Sequence, residues 1–202
     1  MNESEFQQFL SELYQQGQEN DAQQTERRQM MLNLEPETAR LLSFLVRSSK
    51  RTRLLEIGTS NGYSTCWLAR AMSQTGGHVT SLDREEHKIA RAEANLRRAG
   101  LRELVTLHCG DATELVASLD GPFDCVFFDA DRYSAPAQLA LLMPRLTPNA
   151  LLLADNVLSH PAEIAGYLEA VRARQDFEHM VVPVGKGLSI AYRDSQAMTK
   201  CL

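Results

Sequence analysis

A chain of 202 residues, 44% apolar and 23% charged, suits one domain with a full core and excludes a disordered or low-complexity protein. Its formal net charge of −5 leaves no electrostatic footprint for nucleic acid, and the short basic cluster Arg97, Arg98 and Arg102 reads as a solvated helix end. The cysteines Cys66, Cys109, Cys125 and Cys201 lack the CxxC spacing of a zinc site. The first three sit in apolar segments as small buried residues, and with no signal pattern at Met1–Gln8 and no membrane-length apolar run the expectation is a cytoplasmic protein without a membrane partner.

Residues 1–35 are rich in Gln, Glu and Asn. Phe6, Leu10 and Leu13 recur at helical spacing there, so a short amphipathic helix competes with a frayed arm. Pro36 suits the first turn of the next helix, which carries Ala39, Leu41, Leu42, Leu45 and Val46. Strand-like and helix-like segments then alternate. Arg53–Ile57 is a β run ending in Gly58, and Tyr63–Ser73 is a helix. His78–Leu82 ends at Asp83, and Glu85–Ala99 is a helix stopped by Gly100. Leu104–His108 precedes Gly110 and Asp111, and Thr113–Leu119 is a short helix. Phe123–Phe128 ends at Asp129, Pro136–Leu146 is a helix, and Thr147-Pro148-Asn149 is a turn. Ala150–Ala154 ends at Asp155, and Pro161–Arg174 is a helix. Met180–Val184 and Leu188–Tyr192 flank Gly185-Lys186-Gly187, a hairpin turn.

This alternation implies βαβ units: a Rossmann-like, doubly wound α/β fold with seven strands, mostly parallel, and one antiparallel strand in the C-terminal hairpin. One domain accounts for residues 1–202, with an N-terminal helical arm (1–35), a core (36–193) and a tail (194–202).

Ligands of open α/β sheets sit beyond the carboxyl ends of the strands. Here the first strand end reads Glu56-Ile57-Gly58-Thr59-Ser60-Asn61-Gly62-Tyr63-Ser64, with GxxxG rather than the GxGxxG of dinucleotide folds, which speaks against a nicotinamide oxidoreductase. A carboxylate in the position of Asp83 can accept both ribose hydroxyls of an adenosine, or cap the next helix. Asp111 can face an adenine edge or cap Thr113–Leu119.

Together with Ser81-Leu82-Asp83, Gly110-Asp111-Ala112, Phe127-Phe128-Asp129-Ala130-Asp131 and Asp155-Asn156-Val157, this ordered set resembles the class I S-adenosylmethionine-dependent catechol and caffeoyl-CoA O-methyltransferases of bacterial type. The resemblance runs from about Arg27 to Tyr192. It implies S-adenosylmethionine as methyl donor. Glu56, Gly58 and Ser64 would lie about its methionine part, Asp83 on the ribose, and Asp111 and Ala112 beside the adenine, with Asp129 also in the donor set. It further implies a small hydroxylated aromatic as acceptor, and a homodimer.

Asp129, Asp155 and Asn156 offer only hard oxygen donors, as Mg2+, Ca2+ or Mn2+ prefers; Asp155-Asn156 alone would read as a cap or turn. A divalent cation lowers the pKa of a hydroxyl and fixes its direction, and orientation supplies much of the remaining catalysis. Asp129 and Arg132 are the expected catalytic pair. The family motif is Asp-Ala-Asp-Lys, with the lysine as general base, whereas Arg132 stands here and cannot accept a proton at neutral pH. Arg132 therefore either stabilises a phenolate or pairs with an acid, and Tyr133 and His160 are possible helpers. The loop after Leu158 is short, so acceptor specificity does not transfer. Tyr63, Trp67, Tyr133 and Met31 are candidate pocket walls, with Trp67 favoured as core. The competing reading is a donor-binding protein with weak or no catalysis and a regulatory role.

Overall fold

The computed structural model describes residues 1–194; Cys201 and nearly all of the expected tail lie outside them. Asn2 and Glu5 open α1 (Glu3–Gln23) with a reciprocal capping box: Asn2 Oδ1 accepts from Glu5 N (3.0 Å), and the Glu5 carboxylate accepts from Asn2 N (2.8 Å). Phe6, Phe9, Leu10 and Leu13 form the buried stripe of α1, so the N-terminal segment is a docked helix and not a frayed arm. Pro36 begins α2 (Pro36–Ser48), where its missing N–H costs nothing.

The alternation yields β1 (Arg53–Ile57), α3 (Tyr63–Thr75), β2 (His78–Asp83), α4 (Glu86–Ala99), β3 (Val105–Cys109), α5 (Ala112–Ser118), β4 (Phe123–Phe128), α6 (Ala135–Leu142), β5 (Leu146–Ala154), α7 (Pro161–Arg172), β6 (Phe177–Val182) and β7 (Leu188–Arg193). The sheet order is β3-β2-β1-β4-β5-β7-β6, and β7 runs antiparallel to both neighbours. This is the Rossmann-like sheet expected.

Successive strand residues point to opposite faces, and both faces of the central strands are buried. In β4, Cys125 and Phe127 join the core under α1, α2 and α3, while Val126 and Phe128 join the core under α5, α6 and α7. By the same alternation Glu56 shares the α3 side with Leu54, a charged residue on a core-facing position.

Three local expectations change. Thr147-Pro148-Asn149 is not a turn between elements but lies within β5. The ladder pairs Phe123 with Leu146 and then Cys125 with Leu151, so an irregular stretch of β5 bulges out and rejoins. The helix expected to reach Leu146 stops at Leu142 and tightens into a 3-10 turn, Met143–Arg145, around Pro144. Cys109 is exposed at the end of β3, while Cys66 and Cys125 are buried. The basic cluster is indeed a surface feature: Arg97 and Arg102 pair with Glu93, and Arg98 pairs with Glu12.

Candidate active site

The registers of the central strands decide where the site forms. Ile57 pairs with Leu82 on one side and with Phe128 on the other, and Phe128 pairs with Ala154. The residues that follow this row are Gly58, Asp83, Asp129 and Asp155, and all four line one cavity of about 780 Å³. A Cβ at Gly58 would stand 2.2 Å from the carbonyl oxygen of Asp129, at a φ of +113°, so only glycine lets the loop after β1 lie against the end of β4.

At one end of the cavity the Asp83 carboxylate accepts from Ser60 N (2.7 Å) and Glu85 N (3.0 Å), bridging the glycine-rich loop to the start of α4. Glu85, not Asp83, is the N-cap residue of α4. Ser64 also lines the cavity. Glu56 does not: its carboxylate is fully buried and takes hydroxyl donors from Ser64 (2.6 Å), Thr65 (2.5 Å) and Ser81 (2.5 Å). Burial pushes its pKa up to about 7 even against these three donors. Asp111 and Ala112 also lie away from the cavity lining. Asp111 caps α5, accepting from Thr113 N (2.8 Å) and Glu114 N (3.1 Å).

At the other end Asp129, Asp155 and Asn156 converge. The Asn156 amide nitrogen donates to Asp129 Oδ1 (3.2 Å) and to Asp155 Oδ2 (2.9 Å). Burial and the Asp155 charge raise Asp129 well above the usual carboxylate range, and burial raises Asp155 as well. Asp155 Oδ1 is buried with no hydrogen-bond partner. Two carboxylates that repel, one carrying an orphaned oxygen, and an amide whose oxygen and nitrogen exchange by a rotation of the side chain form a donor set that fits a hard divalent cation. Among the described residues no group of three or more His, Cys, Asp or Glu is placed to hold a metal. The set here is two carboxylates and an amide.

Arg132 is buried and pairs with Glu163 of α7, Nη2 at 2.8 Å and Nε at 2.9 Å from Glu163 Oε2. It lines the cavity, as do Tyr63, Met31, the exposed Tyr133 and His160, whose Nδ1 is 2.9 Å from Ser159 Oγ. Trp67 is core: it meets the Phe6 ring edge-on (centroids 6.4 Å apart) and lies outside this cavity.

Met31 was expected as a pocket wall, but what holds it there had no signal in the sequence. Met31 belongs to a cover segment held from afar, since the Asp21 carboxylate accepts from Met31 N (2.5 Å) and Leu32 N (2.8 Å), and Ser60 Oγ donates to the Met31 carbonyl (2.5 Å). Lys88, Glu163 and Lys186 also face the cavity. Only the turn carrying Lys186 was legible, through its flanking glycines.

The comparisons with known proteins bear on the family and the fold. A family model described as a methyltransferase domain matches residues 55–157. Over 133 residues the chain is 36% identical to a catechol O-methyltransferase of Niastella koreensis, covering 63% of this chain and 59% of that protein. Over 144 residues it is 33% identical to a catechol O-methyltransferase of Mycobacterium tuberculosis, covering 70% and 65%. The chain thus spans less than two thirds of the length of either. It superposes on the O-methyltransferase TomG of Streptomyces achromogenes, involved in tomaymycin synthesis and solved with SAM, at a TM-score of 0.80 and 28% identity over 92% of this chain and 89% of that one. On the family match, the chain belongs to the methyltransferase-domain family, and the likenesses that accompany it are to O-methyltransferases.

Proposed function

We propose that this protein transfers the methyl group of S-adenosylmethionine to a hydroxyl of a small, catechol-like aromatic, with a hard divalent cation such as Mg2+ held by Asp129, Asp155 and Asn156. The observation that carries this reading is the meeting of those three side chains at one end of a cavity whose other end holds Asp83. A cation bound there supplies positive charge that lowers the acceptor hydroxyl's pKa and fixes its direction.

The chain's own residues supply the rest. Asp83, fixed by two backbone N–H groups, keeps acceptor capacity for ribose hydroxyls. Ser64 presents a hydroxyl backed by Glu56, so Glu56 sets the polarity of the donor end from behind the wall. Met31, itself buried, adds an apolar wall to the cavity. Arg132 holds charge near Asp155 but no proton-accepting capacity.

The test is methyl transfer from labelled donor to a panel of catechols, with magnesium or with chelator. Magnesium-dependent labelling of at least one diol is expected; no transfer under any condition, with donor binding intact by calorimetry, would instead favour the donor-binding, non-catalytic reading. The engagement of Arg132 by Glu163 is the observation that keeps that second reading open. The homodimer belongs to the same proposal and is read by sedimentation.

A further inference from the structure

The hairpin turn Gly185-Lys186-Gly187 has no role in the reading above, yet it brings an ammonium into the same cavity as the paired carboxylates. Its backbone is pinned to the loop that follows Asn156. The Lys186 carbonyl accepts from Leu158 N (3.0 Å) and Ser159 N (3.2 Å), and the Gly187 carbonyl accepts from Val157 N (3.1 Å). Gly187 adopts a φ of +90°, and a Cβ there would stand 2.4 Å from Leu158 Cγ, so the turn fits against this loop only as glycine. Lys186 is thereby fixed in register with Asp155 and Asn156.

The side chain completes the placement. Lys186 Nζ lies 2.7 Å from Glu35 Oε1, at the start of α2, and its charge acts on both Asp155 and Asp129. Burial alone would lower its pKa, but the Glu35 hydrogen bond and charge hold it above the ordinary lysine value, so it stays an ammonium. An ammonium has three donors, and one is used on Glu35. Arg132 has less freedom, since two of its nitrogens engage Glu163 and it is only 8% exposed.

We propose that Lys186 is a catalytic residue of the transfer, donating a hydrogen bond from its ammonium to the reacting oxygen of the acceptor and stabilising that oxygen as a phenolate. The inference rests on the proposed function. The hydroxyl proton leaves to water at the cavity mouth. The acceptor oxygen's electron pair forms the new O–CH3 bond as the methyl–sulfur bond breaks, and that bond's pair remains on sulfur, which becomes a neutral thioether. Lys186 gives up and gains no proton. Glu35 restrains the ammonium and offsets part of its charge.

The test follows the ionisation of bound 4-nitrocatechol by its absorbance, with S-adenosylhomocysteine and magnesium present. Lys186→Met is expected to raise the pH at which the bound acceptor ionises by about one unit, the effect of losing one opposite charge at close range. Lys186→Arg keeps most of the wild-type value, and Glu35→Gln, which releases the ammonium, moves it downward. Equal ionisation in wild type and Lys186→Met, with acceptor bound to both, overturns the proposal. So does a rise in Glu35→Gln, which would make the pair a structural tether. Should Lys186→Met fail to bind S-adenosylhomocysteine, Lys186→Gln takes its place with the same expected rise and the same overturning result. Absence of nitrocatechol binding by wild type that still binds S-adenosylhomocysteine defeats the proposed function first, and this inference with it.

Discussion

Asp129 and Asp155 leave adjacent parallel strands at the same register, each directly after one member of the pair Phe128 and Ala154, and the amide of Asn156 spans the gap between them. Two carboxylates held this close in a buried place destabilise each other unless a cation or a proton intervenes. Such an arrangement sacrifices stability for binding, and the sacrifice is measurable.

Replacing Asp155 with Asn removes one of the two like charges and keeps the shape. The metal-free protein is expected to gain on the order of 1 kcal/mol of stability. Divalent-cation affinity and methyl transfer fall at least about a hundredfold, as for a lost ligand. Thermal melts with chelator, paired with calorimetric magnesium titration, read both effects. A variant that is less stable and still binds magnesium normally contradicts the assignment.

Glu56 makes a prediction in pH. Its folded pKa of about 7 lies above the ordinary 4.5, because burial disfavours the charge more than three hydroxyls favour it. Between about pH 4.5 and 7 the buried carboxyl is therefore largely neutral in the folded state while the unfolded chain has already ionised. Its contribution to stability is fully present below about pH 4.5 and is lost as pH rises through about 7. The stability of Glu56→Gln relative to wild type should rise across that window by on the order of 3 kcal/mol. Denaturant unfolding at the two ends of the window measures it, and a difference independent of pH would show that the carboxyl titrates normally.

The cover segment is tied down by Asp21 through the N–H groups of Met31 and Leu32. Asp21→Ala frees two backbone donors beside the donor end of the cavity. Donor affinity is expected to weaken about tenfold, chiefly through faster release, in line with the loss of charge-assisted hydrogen bonds. Stopped-flow binding checks this; an unchanged release rate would show that the segment does not cover the donor.

The strand ends were legible because a parallel sheet exposes its chemistry in one place, and an acid or glycine closing each hydrophobic run marks that place without any tertiary knowledge. Asp83, Asp129, Asp155 and Asn156 were found this way, and the sheet order then brought them together. At the end of β3, the edge strand of the sheet, Asp111 fulfils the capping alternative that the sequence also offered. Glu56 was legible as special but not as sequestered, since its three hydroxyl partners come from α3 and β2. Met31 and Lys186 owe their positions to Asp21, Glu35 and the loop after Asn156, contacts with no local periodicity.

The most direct test of the central claim is manganese binding followed by electron paramagnetic resonance, on wild type and on the Asp129→Asn, Asp155→Asn double variant, with S-adenosylhomocysteine present. One ion per chain in wild type, displaced by magnesium, and none in the double variant is the result the account predicts. Wild type that binds no ion, or a double variant that binds as wild type does, would contradict it.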